Sequence, residues 1–361
     1  MTTPLEKKLK AQIARHGALS VHDYMAACLY DETHGYYRIR DPLGADGDFI
    51  TAPEISQLFG EMIAVWILDC YQKLGAPPRL TLCETGPGRG TLMSDILRVL
   101  SAHSAAPQDI NIIMIETSEA LIIKQKNLLK SKYCKIKWIN SLSGFEAEDH
   151  PVIFIGNEFL DALPVQQFEY QDGQWFERLV TYKNDMWSFA LSPKAEKGGA
   201  IPRGLFPPKD GDIFECAPAQ TEILKSIAAI LNKGGGAALF IDYGSGQPLY
   251  ADTLQALHHH QEVDIFHRPG ECDLTAHVRF GDLNDLVMQN GQIVYGLRPQ
   301  GSFLNALGLQ ERARMLTETA TEGQKQTIKN AVNRLTAIDQ MGDLFKAWAF
   351  GPDPALTPAG F

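Results

Sequence analysis

The stretch Leu82–Met93, LCETGPGRGTLM, joins a short apolar lead-in and an acid, Glu84, to three alternate glycines, Gly86, Gly88 and Gly90. Glycine tolerates positive φ and, without a Cβ, lets a ligand lie against the backbone. The helix expected after the last glycine would present unpaired N–H groups and a partial positive charge. The stretch therefore predicts a strand–turn–helix unit that can hold a ligand, although a tight turn without a ligand uses the same residues.

The glycine spacing narrows the choice of ligand. Nicotinamide-binding turns follow G-x-G-x-x-G, whereas this turn reads G-x-G-x-G after an acid. It resembles the first motif of class I S-adenosylmethionine methyltransferases. In that family the turn passes under the methionine moiety, and an acid that ends the next strand holds the ribose. Here the next apolar run, 112–115, is followed by Glu116, which we expect to bind the ribose. An ordinary acid at the start of a helix is the alternative.

Composition excludes several classes of protein. The chain has 361 residues, a hydrophobic content of 45% and a formal net charge of −10, which argues against nucleic-acid and anionic-membrane surfaces. Its six cysteines form no C-x-x-C pair, so we expect free thiols and no zinc site. The sequence shows neither a membrane-spanning apolar run nor a signal peptide, and we expect a cytoplasmic protein.

Five nearly continuous apolar runs predict parallel strands that are covered by helices on both faces: 80–84, 111–116, 135–139, 152–156 and 237–242. The expected fold is α/β, a Rossmann-like class I methyltransferase fold with strand order 3-2-1-4-5. The segment after 291 is expected to add an antiparallel edge.

The same patterns predict three parts of the chain. Residues 1–75 form an N-terminal helical cap, and 165–215 form a β-rich insertion whose strands lie within 167–191. Residues 76–164 and 216–361 form the methyltransferase core. Within the cap, Thr51 and Glu54 are expected to form a capping box that opens one long helix ending near Gly75.

Several motifs together make the resemblance specific. They are GDFITAPEISQLFGE (47–61), ETGPGRGTLM (84–93), NEFLDALPVQQF (157–168), IDYG (241–244) and PGECDLTAHV (269–278). In this order they resemble the MidA family of class I methyltransferases, whose mitochondrial members assist assembly of respiratory complex I. The resemblance implies S-adenosylmethionine as the cofactor. It also implies symmetric dimethylation of arginine on a protein substrate such as a 49-kDa-type complex I subunit. A homodimer is compatible with the sequence.

Polar residues after the fourth strand predict the substrate site. Asn157 and Glu158 end that strand, and Asp161 follows. Ligands of open α/β sheets bind beyond the carboxyl ends of the strands, beside the first turn. A guanidinium is planar and stays protonated, so it suits paired carboxylates. We therefore predict that these three residues bind the substrate arginine and promote transfer. The alternative is that both acids only cap the next segment.

Other candidates carry weaker signals. Ser141 and Leu142 could line the adenine, or belong to a plain loop. Thr51 could belong to a lid over the cofactor, although a capping role already explains it. The motifs leave the roles of Glu215, Asp242, Asp273 and His277 open, and the His258–His260 run is expected to be an exposed loop.

Two other functions are compatible with this fold. A nicotinamide-dependent oxidoreductase uses a similar sheet, but the glycine spacing disfavours it. A non-catalytic assembly chaperone would keep the fold and lose transfer. The glycine turn and the Asn157, Glu158 and Asp161 cluster argue against that loss.

Overall fold

The computed structural model describes residues 2–39, 51–107, 109–130, 135–146, 149–196 and 206–361. The predicted loop glycines Gly44 and Gly47 lie outside the described residues. Helices in chain order are α1 (Pro4–His16), α2 (Val21–Tyr30), α3 (Tyr36–Ile39), α4 (Ala52–Ile55), α5 (Gln57–Lys73), α6 (Thr91–Ala102), α7 (Glu119–Leu129), α8 (Pro218–Gly234), α9 (Phe280–Gln289), α10 (Gln300–Ala306), α11 (Leu309–Glu318), α12 (Glu322–Thr336) and α13 (Met341–Leu344).

Strands in chain order are β1 (Leu19–Ser20), β2 (Arg79–Thr85), β3 (Asp109–Ile115), β4 (Ile136–Ile139), β5 (Val152–Asn157), β6 (Gln166–Gln171), β7 (Gln174–Lys183), β8 (Met186–Ala195), β9 (Ile213–Cys216), β10 (Gly236–Ser245), β11 (Gln255–His258), β12 (Gln261–Val263), β13 (Asp273–Thr275), β14 (Val278–Arg279), β15 (Ile293–Pro299) and β16 (Phe345–Gly351).

The chain divides into two compact units. The sheet unit contains Ile50–Leu160, Ile223–Gly246 and Asp282–Phe361. The N-terminal unit contains Met1–Phe49, Asp161–Glu222 and Gln247–Gly281. Neither unit is continuous in sequence.

The sheet unit is built on strands in the order β4-β3-β2-β5-β10-β16-β15. The first five are parallel, which confirms the predicted order 3-2-1-4-5. β16 is antiparallel to β10, and β15 is antiparallel to β16. The segment after 291 therefore supplies the predicted antiparallel edge, with β16 as its inner strand and β15 as its outer strand.

Helix α5 belongs to the core of the sheet unit. Its buried side chains, including Phe59, Ile63 and Ile67, pack in one apolar cluster with Leu82 of β2 and Ile112 of β3. Burying this apolar surface is the main force that holds helix against sheet. The structure therefore groups 57–73 with the sheet, and not with a separate cap of residues 1–75.

The N-terminal unit has its own core. Helices α1 and α2 bury Leu5, Leu9 and Tyr24 against β-sheet residues such as Val180. Its larger sheet has the order β1-β7-β6-β9, with β8 paired to β7. The antiparallel strands predicted within 167–191 are present as β6, β7 and β8. The residues 247–281, which were expected to belong to the methyltransferase core, lie in this unit instead and contain the small sheet β12-β11-β13.

One predicted helix is divided in two. Ser56 has extended φ and ψ of −166° and 143°, which ends α4 at Ile55, and its hydroxyl accepts the N–H of Leu58 to cap α5. Thr51 lies at the N-cap of α4 but makes no side-chain capping bond. The predicted capping box of Thr51 and Glu54 is therefore wrong.

The C-terminal segment after β16 packs within the sheet unit. Leu356 is buried, and Ala359 donates its N–H to Asp69 Oδ2 at 2.7 Å. Across the described residues, no helix is both long and apolar enough to cross a membrane.

Candidate active site

The glycine turn joins β2 to α6 at the carboxyl edge of the sheet. Gly86, Gly88 and Gly90 have φ of +63°, +54° and +85°, so all three adopt the conformation that favours glycine. A Cβ on Gly86 would lie 2.8 Å from Cδ2 of Phe159. The sequence prediction of positive φ in this turn is confirmed, and Gly86 lets the ring of Phe159 pack closely against the turn.

Glu84 is a buried acid at the end of β2. Its side chain is 3% exposed, and Oε2 has no hydrogen-bond partner among the described residues. Burial, with a smaller contribution from the negative charge of Glu116, raises the pKa of Glu84 to about 8. A buried, unpaired carboxylate oxygen is costly unless a ligand supplies a donor or a positive charge. Glu84 is therefore suited to a cationic ligand seated on the glycine turn.

Glu116 follows β3 on the neighbouring strand. Its Oε1 accepts the N–H groups of Thr117 and Ser118, each at 2.8 Å, directly before α7. Glu116 therefore does bond to the start of α7, as the alternative from the sequence proposed, and it uses only Oε1 to do so. The other oxygen lies 3.3 Å from Nε2 of Gln125.

Gln125 was not identified from the sequence. It is fully buried on α7, and its Nε2 donates to the carbonyl oxygen of Gly88 at 2.7 Å. Its Oε1 accepts the indole N–H of Trp138, in β4, at 2.8 Å. One amide therefore links the glycine turn, Glu116 and the next strand. A lone glutamine within a helix gives no local signal for such long-range contacts.

Ser141 and Leu142 follow β4 at the same edge. The hydroxyl of Ser141 is exposed and lies 2.7 Å from that of Ser143. Leu142 begins a single 3-10 turn, Leu142–Gly144, and is half-buried. Contact of either residue with the adenine stays a prediction.

Asn157 and Glu158 lie beside the glycine turn because β5 pairs with β2, with Gly156 opposite Thr85. The amide Nδ2 of Asn157 donates to Glu158 Oε1 at 2.9 Å, and the N–H of Ala52 donates to the same oxygen at 3.1 Å. Oε2 of Glu158 accepts no hydrogen bond within the described ranges. Burial raises the pKa of Glu158.

Glu158 also has strained backbone geometry. Its φ is +49°, which is unfavourable for a residue with a Cβ, and its N–H donates to the carbonyl oxygen of Ile241 at 2.8 Å. Strain of this kind persists where the surroundings fix a residue, often at functional sites. Local sequence gave no sign of it.

Asp161 belongs to the N-terminal unit, whereas Glu158 belongs to the sheet unit. It is 5% exposed, and its carbonyl oxygen accepts the N–H of Ala276 at 3.1 Å. That Asp161 acts together with Glu158 stays a prediction. Asp242 has a structural role, since its carboxylate accepts the N–H groups of Leu160 and Tyr243 at 2.8 and 3.0 Å.

Glu215 and the His258–His260 run both belong to the N-terminal unit. Glu215 is buried, and its Oε1 accepts Nε2 of Gln167 at 2.7 Å and the N–H of Thr253 at 3.1 Å. It therefore ties the 247–281 segment to the larger sheet of its unit. His258 ends β11, and His259 and His260 form the turn to β12. No group of side chains in the described ranges could hold a metal ion.

Comparison with known proteins identifies the family. The family model described as a putative S-adenosyl-L-methionine-dependent methyltransferase matches residues 62–298. The chain belongs to this methyltransferase family. The resemblance to MidA proteins is thereby confirmed, and the enzyme uses S-adenosylmethionine as its cofactor.

Alignments with related proteins extend over nearly the whole chain. The protein arginine methyltransferase NDUFAF7 homologue of Caenorhabditis elegans is 33% identical over 393 residues, covering 100% of this chain and 91% of that protein. The Homo sapiens protein arginine methyltransferase NDUFAF7 is 31% identical over 381 residues, covering 98% and 85%. Both carry the word mitochondrial in their names.

A solved structure from Burkholderia thailandensis, with S-adenosyl-homocysteine bound, superposes on this chain with a TM-score of 0.81. The two sequences are 27% identical, and the match covers 98% of this chain and 93% of the other. The nicotinamide-dependent alternative is therefore wrong for this methyltransferase.

Residues around the turn fit the methyl donor. S-adenosylmethionine carries a positive sulfonium and an ammonium group, and it supplies an activated methyl group. Glu84 would face positive charge with its unpaired oxygen. The glycine turn would support the methionine moiety, and Glu116 would accept hydrogen bonds from the ribose.

Proposed function

We propose that this methyltransferase transfers a methyl group to arginine side chains of a protein. The observation that carries the proposal is Glu158, a half-buried acid directly beside the glycine turn. One of its oxygens is held by Ala52 and Asn157, and the other accepts no bond from the described residues. A fixed carboxylate with one remaining oxygen suits a guanidinium N–H group.

Methyl transfer to arginine requires that the guanidinium nitrogen be aligned with the methyl carbon and that its positive charge be stabilised. A guanidinium nitrogen would use its lone pair to form the new N–C bond as the bond from carbon to sulfur breaks. The sulfur keeps the bonding electrons. The nitrogen loses one proton, so the product remains a methylated guanidinium. Glu158 would orient the nitrogen, disperse its charge and accept the proton, and its raised pKa favours that last task.

The hydrogen bonds to Glu158 keep this arrangement in place. Asn157 and Ala52 hold Oε1, so the carboxylate cannot rotate freely when the substrate enters. Less reorganisation is then needed during transfer, which is how fixed polar groups lower a barrier. That Asp161 shares the guanidinium stays a prediction from the sequence.

The names of the relatives support arginine as the acceptor. The C. elegans and human proteins are both named protein arginine methyltransferases. For this chain we propose a complex I subunit of the 49-kDa type as the substrate, symmetric dimethylarginine as the product, a cytoplasmic location and a homodimeric state.

The test is transfer from methyl-labelled S-adenosylmethionine to the purified 49-kDa-type subunit. Peptide mass spectrometry then identifies the modified residue. We expect label on arginine, and a substrate with the modified arginine changed to lysine should take up none. Label on lysine or on a carboxylate would refute the arginine proposal. If S-adenosylhomocysteine binds but no subunit is labelled, the non-catalytic chaperone becomes the better account.

A further inference from the structure

The glycine turn contains three residues of positive φ within five positions, so it needs outside contacts to hold one shape. Two come from the neighbouring strand and helix. Gly86 donates its N–H to the carbonyl oxygen of Ile115 at 3.1 Å, and Gln125 donates to the carbonyl oxygen of Gly88. At Gly90 the N–H donates to the carbonyl oxygen of Pro87 at 2.8 Å, and the carbonyl oxygen accepts the N–H of Ser94 at 2.9 Å, so local backbone bonds join the turn to α6.

Glu54 contacts the residues on both sides of Gly90. Its Oε1 accepts the hydroxyl of Thr91 at 2.6 Å, and its Oε2 lies 3.9 Å from Nη1 of Arg89. The Glu54 side chain is 18% exposed, so its charge is only partly screened by water. The carboxylate of Glu54 therefore contacts the residue before Gly90 and the residue after it, at the start of α6.

The short helix that carries Glu54 is itself anchored. Ala52 is fully buried, and its N–H donates to Glu158 at 3.1 Å. Pro53 occupies the first turn, where its fixed φ suits a helix start. Glu54 thus projects from a fixed base, although it lies far from the turn in sequence.

We propose that Glu54 is a positioning residue that holds the glycine turn in its cofactor-binding form through Thr91 and Arg89. It acts on cofactor affinity and does not itself touch the reacting atoms. The proposal does not depend on arginine as the methyl acceptor.

Calorimetric binding of S-adenosylhomocysteine tests the proposal without any methyl acceptor. Glu54→Ala, which loses both contacts, should weaken binding about tenfold, and Thr91→Val, which loses only the hydrogen bond, about three- to fivefold. The double variant should bind within about twofold of Glu54→Ala, because Thr91→Val then removes a bond that the first change has already lost. Thr91→Ser keeps the hydroxyl and should bind like the wild type.

A matched control separates positioning from stability. Asp95 pairs with Arg98 further along α6, so Asp95→Asn removes an acid from the same helix without altering the turn. It should leave affinity unchanged, even if its melting temperature falls as far as that of Glu54→Ala. If Glu54→Ala does not fold, Glu54→Gln, which keeps an oxygen for Thr91 and loses the charge facing Arg89, should show an intermediate affinity. Wild-type affinity in folded Glu54→Ala or Glu54→Gln, additive losses in the double variant, or an equal loss in Asp95→Asn would each overturn the proposal.

Discussion

The side-chain amide of Gln125 donates to the carbonyl oxygen of Gly88 across a distance of 2.7 Å. The two residues lie on different elements, a helix and the turn after a neighbouring strand. Because Gln125 is fully buried, its polar atoms must be satisfied within the protein. Gln125 therefore fixes the middle of the glycine turn while it bonds Trp138 with its other atom.

Gln125→Met tests how much the hydrogen bonds of the Gln125 amide contribute to cofactor affinity. Methionine has a similar volume but cannot donate to Gly88 or accept from Trp138. We expect S-adenosylhomocysteine to bind about five- to tenfold more weakly, as is usual when a buried hydrogen bond is lost. The measurement is calorimetry. Gln326→Met, an exposed change on α12, is the control, and equal affinities in the two variants would contradict this role.

Glu84 predicts a dependence of binding on pH. Its pKa of about 8 in the free protein leaves it largely protonated at neutral pH. The ammonium group that S-adenosylhomocysteine shares with the methyl donor would favour the ionised form of Glu84 and lower that pKa, so binding below about pH 8 releases a proton. Affinity for S-adenosylhomocysteine should therefore rise from about pH 6 to pH 8 and then level off. Calorimetry in buffers of different ionisation enthalpy measures the released proton.

Glu84→Gln is the matched variant for this effect. Glu84→Gln should lose most of the pH dependence of binding and bind S-adenosylhomocysteine more weakly than the wild type at pH 8.

The raised pKa of Glu84 also affects stability. The folded wild-type protein keeps a proton on Glu84 that the unfolded chain loses above the ordinary glutamate pKa of 4.5. Its free energy of unfolding should thus fall as pH rises from 4.5 towards about 8. Glu84→Gln should melt at a higher temperature than the wild type at pH 8, and affinity independent of pH in the wild type would refute the assignment.

The sequence predicted the elements whose signals are local. Continuous apolar runs identify the buried parallel strands, because residues such as Leu82 and Ile153 must be covered on both faces of the sheet. Alternate glycines identify the turn. The break at Ser56 was missed because two overlapping N-caps, at Thr51 and Ser56, compete and only the second uses its side chain.

Long-range features could not be read in the same way. The strand β16 lies between β10 and β15, far from β10 in sequence, and it is buried along nearly its whole length, so no alternation of apolar and polar residues marks it as a strand. The contacts of Gln125, Glu54 and Glu215 depend on which elements meet, and a single sequence carries no pairing signal for them. The positive φ of Glu158 likewise follows from its hydrogen bonds and not from residue type.

We expect the substitution of Glu61 to lower the stability of the protein strongly. It is 3% exposed on α5, and its carboxylate accepts Nη1 of Arg98 at 3.0 Å and Nε of Arg312 at 2.6 Å. Glu61→Gln leaves two arginines with a neutral partner, so we expect the free energy of unfolding to fall by about 1–3 kcal/mol. Urea unfolding measures it. Glu311→Gln, which removes an exposed pair with Arg314, should leave the free energy of unfolding nearly unchanged, because water screens such a pair. An equal fall in the free energy of unfolding for both variants would contradict a stabilising role for the buried pairing of Glu61 with Arg98 and Arg312.

The last prediction concerns transfer itself. In Glu158→Gln the side-chain oxygen can still accept from Ala52 and Asn157, so the fold around α4 should be kept while the negative charge is removed. S-adenosylhomocysteine affinity should stay within about twofold of the wild type, because we propose that Glu158 binds the substrate and not the cofactor. The rate constant for methyl transfer to an arginine peptide should fall by about 10²–10³, as happens when a fixed group that stabilises developing charge is lost.

The control for this change is Glu318→Gln, which removes an exposed acid paired with Arg314 on α11 and should transfer at the wild-type rate. Single-turnover kinetics with labelled cofactor separate transfer from product release. A Glu158→Gln enzyme that binds cofactor and transfers as fast as the wild type would remove Glu158 from the reaction. A variant that loses cofactor binding and transfer together would instead assign Glu158 to the cofactor side of the site. Only slow transfer with intact cofactor binding fits a carboxylate that aligns the guanidinium and takes its proton.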